Sequence, residues 1–178
     1  KNSKVDWIAT DFYRFENISE KPTLQTAPDS VHSDLFLVGN PGIQGSNTFL
    51  RLSILLEAGA YDENQSPSND RDLCLRLCDL NDVIYQRNPN VNMIHYAESD
   101  RFRYSIPNTQ IRNKGFENFW LKHSGRMTTS QKDRFVDRTE KLFNWTPQLD
   151  EELENNVNEI LKDTIPNLNQ IVDNFNLN

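Results

Sequence analysis

At 178 residues, with 36% hydrophobic and 10% aromatic side chains, the chain is long enough to bury one sizeable core, since single domains run to about 100–200 residues. Its formal net charge of −7 argues against general affinity for nucleic acid or anionic membrane, because both need clustered Lys and Arg. No apolar run approaches the roughly 20 residues of a transmembrane helix.

The start, "KNSKVDWIAT", has neither an initiator Met nor the apolar core of a signal peptide, and reads as a cut inside a longer protein. From about Val5 to Phe15 the aromatic and β-branched residues predict a strand. "ENISEKPTLQTAPDS" follows as a polar, Pro-containing loop, and "DLFLVGN" reads as a strand end or a buried turn. Gly42 and Gly45 permit tight turns before a short strand at "SNTFLRL". Ser53 is a candidate N-cap for a brief helix through Ile54, Leu55 and Ala58, ended by Gly59.

Ser68 or Asn69 is expected to cap the next helix, with Asp70 and Asp72 in its first turn and Leu73, Leu77 and Leu80 facing the core. Its cysteines, Cys74 and Cys78, share a face but aim poorly at each other, so reduced thiols are expected and a cytoplasmic setting fits. "VIYQRNPNVNMIHYAES" predicts one or two strands interrupted at Pro89. An amphipathic helix from Thr109 carries Ile111, Phe116, Phe119 and Trp120, and another from about Ser130 carries Phe135, Val136, Leu142 and Phe143. From Leu149 to Phe175 the apolar residues keep a helical period broken at Pro166, which predicts two short helices. The sequons at Asn17, Asn64 and Asn144 read as chance matches in an Asn-rich chain.

Common catalytic motifs are missing. The sequence has no Walker-type glycine loop, dinucleotide fingerprint, paired CxxC, HExxH or GxSxG. Its three histidines, His32, His95 and His123, are far apart, although one His can still join carboxylates around a hard divalent ion.

"EAGAYDE" followed by "NDRDLCLRL" resembles the pattern of glycosyltransferase family 2, in which a glycine-containing acidic turn precedes an acidic helix. Gly59, Tyr61, Asp62 and Glu63 match the turn; Asp70, Asp72, Leu73 and Arg76 match the helix. "GSNTFLR" is similar to the strand that floors that family's acceptor pocket, and "VNMIHYAE" to the strand whose His lies near the donor diphosphate. Asn69 stands where the family often has Glu, and the family's metal-holding aspartate pair would lie before residue 5.

The resemblance implies an α/β fold with a mixed sheet. Residues 1–125 would be the C-terminal, acceptor-side half of a glycosyltransferase-A fold, and 126–178 a helical extension. It implies an inverting transferase that uses a nucleotide-sugar donor, a saccharide or other hydroxyl acceptor and a divalent ion (Mg or Mn), with the nucleotide-binding half missing. Asp70 would be the general base; Gly45, Ser46, Asn47, Arg71 and Asp72 would bind acceptor; Arg101 and Arg103 would contact the diphosphate; and His95 would touch the metal.

Each assignment has a plainer counterpart in the residues themselves. Asp70 is also a helix-start acid that complements the dipole; His95, between Ile94 and Tyr96, is also a core histidine; and Arg101 and Arg103 are also surface partners for Glu98 or Asp100. A non-catalytic binding module that keeps the fold is the alternative, motivated by Asn69 and the apolar-striped tail. A hydrolase holding a metal on Asp70 and Asp72 is disfavoured, because alternate helix positions point about 200° apart.

Overall fold

A computed structural model of the chain describes residues 4–17, 19–65, 67–97 and 110–147. They form an α/β arrangement around one mixed sheet. Residues up to Thr146 belong to one compact unit. Residue 125, where a division was expected, lies inside it. The predicted tail helices, like Arg101 and Arg103, lie outside the described residues.

The central strand is β1, Trp7–Phe15, which buries Trp7, Ala9, Thr10, Asp11 and Phe12. One of its edges is shared by two short antiparallel strands. β3 (Thr48–Leu50) pairs with Trp7–Ala9 and β2 (Thr23–Gln25) with Phe12–Arg14. Along the other edge β4, Tyr85–Tyr96, runs parallel for the whole length of β1. Its register slips between Thr10 and Phe12, so that Thr10 faces Asn88 while Asp11 faces Val91. Pro89 falls in that slip, where its missing N–H costs no ladder bond. The strand expected to break at Pro89 is therefore continuous.

Asp11 fixes this join. Its carboxylate accepts two hydrogen bonds from Arg87 of β4, at 2.9 and 2.7 Å, and one from the Ala27 N–H at 3.0 Å. The Arg87 hydrogen bonds hold its carboxyl below the usual range.

Helices cover the sheet. "DLFLV" forms a five-residue helix, α1 (Asp34–Val38), where a strand end or turn was expected; it buries Phe36 and Leu37. A short apolar run is compatible with either state, and here packing against α3 and α5 selects helix. α2 (Leu52–Glu57) starts after Arg51 rather than at Ser53 and buries none of its residues. Gly59, at φ +79°, ends the turn after it; a Cβ there would come within 3.4 Å of Arg76 Nη1 as well as being strained.

α3 (Asn69–Cys78) buries Leu73, Leu75 and Leu77, with both cysteines free. α4 (Gln110–His123) contributes Phe116 and Phe119, while Ile111, expected on its inner face, is exposed. α5 (Thr129–Phe143) begins at a capping box between Thr128 and Gln131 and ends at Asn144, which takes the left-handed conformation that Asn tolerates. Its Phe135 stacks on Phe119 at 5.7 Å, although Leu142 stays exposed. No helix among the described residues is long and apolar enough to cross a membrane.

Candidate functional site

A cleft of about 720 Å³ opens between the C-terminal halves of β1 and β4, the start of α3 and the inner side of α5. Asp70, Asn40, Gln44, His95, Arg71 and Arg138 are among its lining residues. Each reaches the cleft for a local reason.

Asp70 sits in the first turn of α3, where backbone N–H groups have no intrahelical acceptor. Ser68, expected as a cap, has φ 78° and makes no capping bond. Neighbouring side chains serve instead: Asn69 Oδ1 accepts the Asp70 N–H at 2.9 Å, and Asp70 Oδ1 accepts the Arg71 N–H at 2.8 Å. Asp70 Oδ2 accepts Nδ2 of Asn40 at 3.1 Å. Burial pushes the Asp70 carboxyl above its ordinary value, with these hydrogen bonds opposing the shift in part. No ion pair joins it to a cation among the described residues.

Asn40 is itself clamped. Its Oδ1 accepts the N–H groups of Gly42 and Ile43 at 2.9 and 2.8 Å, and its Nδ2 also donates to the Ile43 carbonyl at 2.6 Å. This tight loop needs Gly42, whose φ is +97° and whose Cβ position would lie 2.9 Å from the Thr26 carbonyl. His95, on β4, shares a 2.7 Å hydrogen bond through Nδ1 with Gln44 Oε1, and its ring lies 6.2 Å from that of Phe12.

Arg71 presents part of its side chain to the cleft but turns its guanidinium into the core. The group donates to the Phe36 carbonyl at 3.0 and 2.9 Å and to the Leu37 carbonyl at 2.9 Å, and lies 4.1 Å over the Phe119 ring. Burial brings its pKa down to about 9, which leaves it charged at neutral pH. It caps the end of α1 and ties that helix to α3 and α4.

The other residues expected to bind acceptor lie elsewhere. Asn47 is fully buried: it donates to the carbonyls of Thr10 (2.7 Å) and Gly42 (2.9 Å) and accepts the Gln44 N–H at 2.6 Å. Asp72 is 1% exposed and faces away from the cleft. It pairs with Arg76 at 2.8 Å and His123 Nε2 at 3.0 Å, with Lys122 at 3.5 Å, and its pKa falls to about 2; burial opposes that fall, and the hydrogen bonds from His123 and Arg76 outweigh it. Gly45 and Ser46 are exposed but do not line the cleft. Asp62, in the acidic turn, is occupied by Lys122 and by the Asn64 N–H at 2.8 Å.

Asn40, Gln44 and Arg138 were not singled out from the sequence. The "GNPG" stretch was the available signal for Asn40, because an Asn before Pro-Gly commonly organises a turn through its own side chain. Arg138 reaches the cleft only through the packing of α5.

The chain matches no family model, no curated protein and no solved structure. The site therefore stands on its own geometry. Among the described residues no three His, Cys, Asp or Glu side chains converge to hold a metal ion, and His95 alone does not constitute a metal site.

Proposed function

We propose that this chain is the acceptor-side part of an inverting glycosyltransferase resembling family 2, with a glycosyltransferase-A-like fold and Asp70 as general base. The observation that carries this reading is a carboxylate of raised pKa, held by hydrogen bonds in the wall of an open cleft. The mixed sheet, with β4 parallel and β3 antiparallel to β1, is compatible with the α/β class of that fold.

In this reading an acceptor hydroxyl donates a hydrogen bond to Asp70. As its oxygen bonds to the anomeric carbon, the proton passes to the carboxylate and the bond to the nucleoside diphosphate breaks, its electron pair leaving with the phosphate oxygen. A raised carboxyl pKa makes this transfer more favourable. Asn40 and the Arg71 N–H keep the carboxylate aligned, an advantage of position that does not depend on basicity.

Donor binding belongs to the nucleotide-binding half of the same fold. The divalent ion (Mg or Mn) would take most of its ligands there, with His95 at most a single contribution. A cytoplasmic setting suits a nucleotide-sugar donor and the free, buried Cys74.

The test is transfer or donor hydrolysis by the longest native chain that contains this region. Asp70→Asn is expected to lower the rate by about 10²–10⁴-fold while donor binding is kept. An unchanged rate would remove Asp70 from the chemistry. Full activity from these 178 residues alone would overturn the assignment of donor binding to another part of the protein. A binding function that survives Asp70→Asn, without any transfer, favours the non-catalytic module.

A further inference from the structure

The cleft differs in charge from the molecule around it. The chain carries a formal −7, yet the charged side chains lining the cleft are Arg14, Arg71 and Arg138 against Glu16 and Asp70. Two of the arginines are committed. Arg14 pairs with Glu16 at 2.5 Å, and Arg71 is spent on the carbonyls at the end of α1.

Arg138 is different: among the described residues it makes no hydrogen bond or ion pair. Its own helix offers it no acid, because the residues three and four positions away are Phe135, Lys141, Arg134 and Leu142. Asp137, its neighbour in sequence, faces Lys141 at 3.5 Å.

Its position is specific. The guanidinium lies against Gly39, where an added Cβ would come 3.3 Å from Nε. Gly39 precedes Asn40, and Asn40 holds Asp70. An uncommitted guanidinium, a clamped amide and the candidate base thus follow one another along a single wall.

We propose that the cleft selects a saccharide acceptor bearing a carboxylate, of the uronic-acid type, and that Arg138 reads that carboxylate. The inference rests on the acceptor-side reading above and specifies its substrate class. A planar guanidinium matches the two oxygens of a carboxylate in a fork, which a lysine or a neutral amide cannot reproduce. A nucleoside diphosphate fits this wall less well, because its several charges would face Asp70 and Glu16 with only one uncommitted arginine to offset them.

The experiment is an NMR titration of the 178-residue chain with glucose, glucuronate and inorganic pyrophosphate. Glucuronate is expected to bind about fivefold to tenfold tighter than glucose. That advantage should shrink in about 0.5 M NaCl. Arg138→Gln should abolish the advantage, bringing glucuronate to the affinity of glucose in the same variant, while Arg138→Lys keeps part of it. Arg138 is exposed, so both variants should fold, which a thermal melt verifies.

Equal affinity for the two sugars, or an advantage that persists in Arg138→Gln, overturns this inference and leaves the acceptor reading standing. Pyrophosphate binding tighter than glucuronate and depending on Arg138 overturns it in favour of a phosphate ligand. Failure of both sugars to bind overturns the acceptor reading as well.

Discussion

Asp70 and Asp72 lie two residues apart on α3, yet the protein treats them in opposite ways. At a helical advance of about 100° per residue, their side chains leave the helix on nearly opposite sides. Asp70 points to the cleft, where burial raises its carboxyl and the N–H groups of Arg71 and Asn40, with the nearby Arg71 charge, oppose the shift only in part. Asp72 points to α4, where His123 hydrogen-bonds it and Lys122 lies nearby; with Arg76 of its own helix also bonded to it, its pKa falls to about 2. Sequence position does not decide which acid is held in an ion cluster and which faces the cleft. The elements packed against each face decide it.

The comparison breaks most readily on the Asp72 side. Asp72→Asn removes a buried charge from a half-buried cluster and leaves Arg76 and His123 facing a neutral amide. Because one partner of a buried pair is lost while the other remains, the expected cost is about 3 kcal/mol, read as a lower denaturant midpoint at pH 7. A loss under about 1 kcal/mol would mean that the cluster is wetter and weaker than its burial implies.

Acid tests the same contrast without mutation. Asp72 falls from an ordinary 3.8 to about 2 on folding, so between those values the unfolded chain binds more protons than the folded one. Its stabilisation is fully present above about pH 4 and is lost as pH falls toward 2, amounting to about 2 kcal/mol. Asp11 and Asp62 are lowered as well and add to the same acid loss. In Asp72→Asn the slope of stability against pH between about 4 and 2 should be shallower than in the native chain. Parallel slopes would show that Asp72 does not titrate in this window.

What the sequence disclosed follows the same division between local and distant causes. β1 was legible because its aromatic and β-branched residues are a property of the segment itself, and α3 because first-turn acids and leucines at helical spacing are local signals. Asp70 became a candidate through the family resemblance, since a first-turn acid by itself reads as a complement to the helix dipole. The roles of Arg71, Asp72 and Asn47 were not legible, since their partners are tens of residues away: Phe36 and Phe119 for Arg71, His123 for Asp72, Thr10 for Asn47. The helical state of "DLFLV" was hidden too, because a five-residue apolar run carries too little period to separate helix from strand. Likewise Ile111 and Leu142 follow an amphipathic pattern yet remain exposed, since pattern alone does not say how wide a face the core covers.

The smallest effect is the most informative about Asp70. Its folded carboxyl is raised, so the folded chain favours the protonated form; the ionised group costs stability above its folded pKa, and that cost disappears below the ordinary 3.8. Asp70→Asn removes the cost at neutral pH. It also turns an amide toward Asn40 Nδ2, which cannot rotate away because Asn40 Oδ1 is held by the N–H groups of Gly42 and Ile43. These effects oppose each other, and stability at pH 7 should stay within about 1 kcal/mol of the native chain. Relative to the native chain, the variant should fare better at pH 7 than at pH 3, the reverse of the trend for Asp72→Asn. A residue kept for the fold would cost stability when replaced, as Asp72 should; a loss of 2 kcal/mol or more here would make Asp70 a second structural acid and erase the distinction between the two faces of α3.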